Sequence, residues 1–248
     1  MKRPISVKLT VTAAGLLFNR ALHGPMERLV RRYSSVGQRP FFDPAQFDWI
    51  PRIEAGWTAI RDEVRALLRE RERIPGFEVI APGNTPDGMR GQWKSYWLLA
   101  YGRGMAGNCR RCPETRRLID TIPGVKTAFF SILAPGMRIP EHTGPYAGVL
   151  RYHLGLIVPR RREACRIRVG PQVAHWQEGR SLVFDDSYPH EVWNDTDEER
   201  VVLFVDFARP LPFPASALNE GAIRLASRSS FVQDIVDHVD EWNRQAAA

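Results

Sequence analysis

The sequence predicts a mainly β protein with flanking helices, built as a β-sandwich or jelly roll. Three observations predict it. Residues 125–133, 149–158, 165–169, 181–184 and 200–207 are short runs rich in β-branched and aromatic residues, parted by Pro, Gly and Asp turns. Helical spacing of apolar residues is confined to the segments before and after them. The chain has 248 residues, 44% hydrophobic and 25% charged, an ordinary globular composition large enough to bury a core unaided.

That composition excludes collagen, coiled coil and wholesale disorder. No run reaches the roughly 18 consecutive apolar residues of a membrane span. Three cysteines make no disulfide framework, so a reducing, cytoplasmic setting is expected.

The elements follow in order. Residues 1–34 are basic and weakly apolar: Lys2 and Arg3 precede an apolar stretch at 7–18, and Arg20, Arg28, Arg31 and Arg32 follow. Lys8 interrupts the stretch and no small-residue cleavage site follows, so a signal peptide is disfavoured. The segment reads as an amphipathic helix that either packs on the body or lies on an anionic membrane surface. Residues 38–52 hold three prolines and read as linker. Trp57, Ile60, Val64, Leu67 and Leu68 predict a helix from Ile53 to before Pro75-Gly76. Residues 78–108 read as irregular, with turns at Pro82-Gly83 and Pro86-Asp87-Gly88, although Trp93, Tyr96 and Trp97 need burial. Pro113 opens a short helix to about Ile122. After the strands, Phe231, Ile235, Val239 and Trp242 share one face of a last helix. The organisation is thus a segment 1–34, a main domain 35–212 with a helical lead-in to about 122 and a β core over about 123–208, and a helical extension 213–248.

Net charge is +7, and lysine occurs only at 2, 8, 94 and 126, so the basic charge is nearly all arginine. Arginine grips carboxylates and phosphates with a planar fork. A solvated surface explains the balance by itself, and no reader motif supports nucleic acid. Cys109-Arg-Arg-Cys112 lacks a second pair and reads as two incidental thiols. Gly102, Gly104 and Gly107 lack the Lys-Ser/Thr of a phosphate loop, and no Gly-x-Ser-x-Gly elbow occurs.

Of six histidines, His23 and His238 read as surface residues on the helical flanks, and His175, near a turn, as structural. His142 ends an extended segment in Pro-Glu-His-Thr-Gly-Pro, and His190 follows a turn in Tyr-Pro-His-Glu-Val-Trp. Arg151 and His153 share one face of a strand, opposite Leu150, Tyr152 and Leu154. An Arg and a His facing into a barrel call for an internal anionic ligand, because unpaired charge there is costly. Two histidines on neighbouring strands can hold one metal at the barrel mouth; imidazole suits iron, zinc and copper.

These blocks resemble a known family. Residues 38–212 are similar to the aspartyl/asparaginyl β-hydroxylases, Fe(II)- and 2-oxoglutarate-dependent oxygenases. The likeness rests on His-Thr-Gly-Pro at 142–145, Leu-Arg-Tyr-His-Leu-Gly-Leu at 150–156, Trp-Gln-Glu-Gly-Arg-Ser-Leu-Val-Phe-Asp-Asp at 176–186 and His-Glu-Val-Trp at 190–193. The resemblance implies a double-stranded β-helix, the cupin-like jelly roll. It implies His142 and His190 as iron ligands, and Ser131, Arg151, His153 and Arg200 as the 2-oxoglutarate pocket. Arg200 would pair with the distal carboxylate, supported by Ser131; Arg151 and His153 would lie nearer the metal.

The third ligand of the common triad would fall at Gly144, which has no side chain. The peptide-hydroxylating branch shares that glycine; the bacterial lipid A hydroxylases place an aspartate there. The open position suits water or an anion, with Glu141, Asp185, Asp186 and Glu191 as outer partners.

The expected activity uses Fe(II), 2-oxoglutarate and O2 to hydroxylate a C–H next to a carbonyl, in an acyl lipid or an aspartyl or asparaginyl substrate. Pro145 to Leu156, Trp93-Lys-Ser-Tyr-Trp and Cys112-Pro-Glu-Thr tilt the resemblance towards the lipid A hydroxylases. The alternatives are a non-catalytic jelly-roll binding module that keeps the pocket, and a zinc-binding cupin-like protein. The expected partners are a small-molecule, lipid or peptide substrate and an anionic membrane surface, with a peripheral place at the inner membrane and no nucleic acid.

Overall fold

The computed structural model describes residues 23–82 and 90–247. The apolar stretch 7–18 and the turn at Pro86-Asp87-Gly88 lie outside the described residues. The helices are α1 (His23–Arg32), α2 (Ile50–Ala55), α3 (Trp57–Leu68), α4 (Phe77–Ile80), α5 (Ala106–Arg111), α6 (Pro113–Ile119), α7 (Ala215–Ala226) and α8 (Ser230–Ala247). The strands are β1 (Phe41–Phe42), β2 (Trp93–Ala100), β3 (Arg103–Gly104), β4 (Val125–Leu133), β5 (Arg138–His142), β6 (Val149–Ile157), β7 (Cys165–Val169), β8 (Gln172–His175), β9 (Ser181–Phe184), β10 (His190–Asn194) and β11 (Arg200–Ala208).

Two antiparallel sheets face each other. The larger has the order β1-β9-β6-β11-β4-β2-β3, the smaller β5-β10-β7-β8. From β4 to β11 the chain winds between them: β4, β6, β9 and β11 in one, β5, β7, β8 and β10 in the other. This is a double-stranded β-helix, the predicted class.

Alternation decides what each face buries. Leu150, Tyr152 and Leu154 of β6 and Val201, Leu203 and Val205 of β11 point outward into a core shared with Ile60, Val64 and Leu67 of α3 and Leu118 of α6. The opposite faces meet between the sheets, where Leu133, Val202, Phe184, Ile167, Val169 and Val192 pack with Trp176. A further cluster holds Trp97 of β2 and Phe129 of β4, covered by Ile80 of α4 and by Ile235, Val236 and Val239 of α8.

Several expectations are corrected. The helix from Ile53 is two helices, α2 and α3, parted at Gly56, where a Cβ would press on the Leu118 side chain. The segment 78–108 is not irregular: it holds strand β2 and helix α5. Almost every side chain of β2 is buried, so its two faces do not alternate and the period-2 signal vanishes. The C-terminal helix is a pair, α7 and α8. On α8, Ile235 and Val239 are buried and Trp242 is half-buried.

Candidate active site

His142 and His190 are direct partners across the β5–β10 ladder. Their ring centroids lie 4.1 Å apart. Each ring is aimed by the carbonyl two residues before it: Nδ1 of His142 lies 2.8 Å from the Pro140 oxygen, and Nδ1 of His190 3.0 Å from that of Tyr188. Nδ1 therefore carries the proton and donates, leaving the Nε2 lone pair for a metal. Burial pushes the His142 pKa down, and burial with the neighbouring His142 and Arg151 pushes His190 down to about 3. Both rings are neutral at pH 7, the form that coordinates. Among the described residues no three His, Cys, Asp or Glu side chains cluster to hold a metal. The pair stands alone as nitrogen donors.

Register places the rest. Along β11, Arg200, Val202, Phe204 and Asp206 share the inner face. Arg200 pairs with Leu133 and Val202 with Ser131 on β4; Phe204 pairs with His153 and Asp206 with Arg151 on β6. Ser131, Arg151, His153 and Arg200 thus all lie on the inter-sheet face, but Arg200 stands at one end of β11 and Arg151 towards the other, opposite Asp206. Arg200 is 1% exposed, and its Nε and Nη2 have no hydrogen-bond partner. Its guanidinium stands 4.8 Å from the centroid of the Trp176 ring. Burial lowers its pKa to about 10, with no carboxylate to offset it. Ser131 Oγ, also buried, accepts from Trp93 Nε1 at 3.0 Å. His153 is buried with both ring nitrogens unpartnered, as is Trp176 Nε1. A buried donor left unpaired costs about 1–3 kcal/mol, more when charged. A guanidinium, an indole N–H, an imidazole and a hydroxyl converging in an apolar sleeve fit the carboxylate of a small acid.

Residues 54–210 match the family described as aspartyl/asparaginyl beta-hydroxylase. The chain belongs to this family. It is 43% identical to the ornithine lipid ester-linked acyl 2-hydroxylase of Rhizobium tropici, over 88% of this chain and 78% of that protein. It is 32% identical to the aspartyl/asparaginyl beta-hydroxylase of Homo sapiens, over 72% of this chain but only 25% of that protein. The cupin domain of an XRE-family transcriptional regulator from Enterobacter cloacae overlaps at 16% identity, covering 48% of this chain and 99% of that one, with a TM-score of 0.34, too loose to argue from.

In this hydroxylase Arg151 is placed differently from Arg200. Its Nε and Nη2 donate to the two oxygens of Asp206 at 2.9 and 3.2 Å, Nη2 lies 2.9 Å from Asp186 Oδ2, and the group stacks 4.2 Å from the Phe204 centroid. Burial raises the Asp186 pKa to about 7. Sequence reasoning missed Asp206, although its strand parity with Arg200 was a usable signal. It also missed Trp176 as a wall of the pocket. Of the expected outer partners, Asp186 faces the site. Asp185 ties the turn before His190 to the buried Arg209 and to Ser187. Glu141 and Glu191 both bind Arg168, alongside the histidines in sequence but with the opposite strand parity.

The other histidines depart from expectation. His175 is exposed at the end of β8, not structural. His23 and His238 are half-buried: His23 Nε2 lies 2.7 Å from the Pro145 oxygen, and His238 Nδ1 3.1 Å from that of Ile80. Cys112 is buried and its thiol pushed up to about 12, so it is inert as a nucleophile.

Proposed function

We propose that this hydroxylase uses Fe(II), 2-oxoglutarate and O2 to place a hydroxyl group on carbon 2 of a lipid acyl chain. The observation that carries the cosubstrate is Arg200, a buried guanidinium without an acid, on the inner face beside Ser131 and facing the same inter-sheet space as the histidine pair. His142 and His190 would hold the iron through Nε2, and Arg200 with Ser131 would hold the far carboxylate of 2-oxoglutarate. When bound, the metal and cosubstrate supply the oxidising power for an unactivated C–H bond, with succinate and CO2 as co-products. The chain's own share is positional: Trp176, Phe184, Val202 and Phe204 keep water out, and the Asp206–Arg151–Asp186 row fixes the wall beside the histidines.

The acyl-lipid substrate is supported by the Rhizobium tropici relative, which matches over most of both chains. A second reading, an aspartyl or asparaginyl side chain, is favoured by Gly144 and by the human relative. Among the described residues no helix is long and apolar enough to cross a membrane.

The test incubates the protein with iron, ascorbate, 2-oxoglutarate and either an ester-linked acyl lipid extract or an Asp/Asn peptide library. One added oxygen on the acyl chain, matched by succinate, is expected. An unmodified lipid together with a hydroxylated peptide would overturn the substrate assignment; no succinate with any substrate would overturn the cofactor assignment.

A further inference from the structure

The loop between His142 and β6 is gripped by two helices. From α1, His23 meets the Pro145 carbonyl and Glu27 Oε1 accepts from Ala147 N at 2.7 Å. From α7, Asn219 Nδ2 donates to the Gly148 carbonyl at 2.8 Å and its oxygen accepts from the Tyr146 hydroxyl at 2.8 Å. The two helices pack on each other. The turn after α1 is tied to the segment before α7, with Ser35 N donating to the Pro210 carbonyl at 3.0 Å.

The outer surface of this pair is unusual for the molecule. On α7 the residues Ala215, Asn219 and Ile223 are buried, while Ala217, Leu218, Gly221 and Leu225 face out. Phe213 is 84% exposed, Leu218 52%, Leu225 51% and Tyr33 51%; these are four of the six large exposed hydrophobics among the described residues. Around them Arg28, Arg32 and Arg228 are exposed and enter no ion pair among the described residues. The nearby acids are already taken: Glu27 by Arg31, and Glu220 by Lys126 and Arg224. An apolar stripe rimmed by uncompensated arginines is the pattern of a helix that lies in the headgroup region of a bilayer.

We propose that the outer faces of α1 and α7, with Tyr33 and Phe213, form a docking surface for an anionic lipid bilayer. Charge complementarity selects the occupant: the arginines suit acidic headgroups, and the bulky apolar residues suit the acyl boundary beneath them. Because the same two helices hold the loop that starts at His142, docking sets the site mouth against the membrane. This purpose rests on the acyl-lipid reading; the surface itself does not.

The experiment is co-sedimentation of the full chain with phosphatidylcholine vesicles, with and without phosphatidylglycerol. Binding to the anionic vesicles alone is expected, weakened by salt. Leu218→Ser/Leu225→Ser/Phe213→Ser and, separately, Arg28→Gln/Arg32→Gln should each weaken it by about tenfold or more. The rise in melting temperature on adding 2-oxoglutarate should stay as in the parent, which shows an intact fold and site. A parent protein that ignores anionic vesicles, or variants that bind as well as it does, would overturn the surface. So would light scattering that shows a dimer split by the leucine changes, since a second copy would then cover the face. Vesicle binding with no acyl product supports the surface and counts against the substrate reading alone.

Discussion

The carboxylate of Asp186 fills the space that a side chain on Gly144 would need. A Cβ at 144 would run into both carboxylate oxygens, and the Gly144 N–H donates to the Asp186 carbonyl at 2.7 Å. The position that supplies the third metal ligand in the common triad is therefore closed by a neighbour from the β9–β10 turn. Gly144→Asp should not create a better iron site. It should displace Asp186 from Arg151 and lower stability by about 1–3 kcal/mol, as overpacking does. Thermal melts and iron titration check this; Gly144→Asp/Asp186→Gly should melt higher than the single variant. Wild-type turnover in Gly144→Asp would contradict the account.

Arg200 gives a prediction of opposite signs. Removing a buried charge with no acid partner relieves a desolvation cost. Arg200→Met should leave the ligand-free protein as stable as the parent or more so, yet abolish its response to 2-oxoglutarate. The parent should gain about 2.7 kcal/mol at one hundred times the dissociation constant. Arg200→Lys should raise the KM for 2-oxoglutarate sharply, because an ammonium lacks the fork. Differential scanning with and without the acid reads both arms.

The histidine pair leaves no redundancy. His142→Ala and His190→Ala should each reduce turnover to background and weaken iron binding, with far-ultraviolet dichroism unchanged. His175→Ala, on the exposed end of β8, should behave as the parent. Near-normal turnover in either of the first two would remove the metal assignment.

Acid should loosen the metal-free protein. His142, His153 and His190 all have pKa values below the ordinary 6.5, with burial the largest cause. The unfolded chain takes up three protons there that the folded one refuses. Asp186, raised to about 7, works the other way by one proton. Stability is thus present above pH 6.5 and lost as pH falls through the window below it, by at most roughly 2–3 kcal/mol per pH unit. Urea melts at pH 7 and 5.5 measure the slope; a flat profile would mean the rings are charged in the fold.

The five strands with clear β-branched runs were legible because each keeps an apolar face. β4, β6, β9 and β11 pack one face on the helices and the other towards the partner sheet, while β7 buries alternate residues between the sheets and turns Arg166 and Arg168 outward. β2 was not, since burial of nearly every residue erased its alternation, and β10 was hidden because it begins on a buried histidine directly after a turn. Of the candidate site residues, His142, Arg151, His153 and His190 stood out through the short blocks that hold them, whereas Ser131 and Arg200 lie outside those blocks and were placed by the resemblance. Asp206 and Trp176 were harder to read: parity marks the face of Asp206 but only register across the ladder supplies its partner Arg151, and Trp176 gains its place under Arg200 from the packing of the two sheets.

Strand β5 lies at an edge of the smaller sheet and, among the described residues, pairs only with β10. Pro140 sits in its middle and is exposed. It has no N–H to offer a passing strand, so another chain cannot extend the sheet there by an unbroken ladder. The same residue's carbonyl holds the His142 ring. One proline thus guards against aggregation and aims the ring of a proposed ligand. Replacing it would invite fibril-like stacking at the rim that carries the proposed ligand pair.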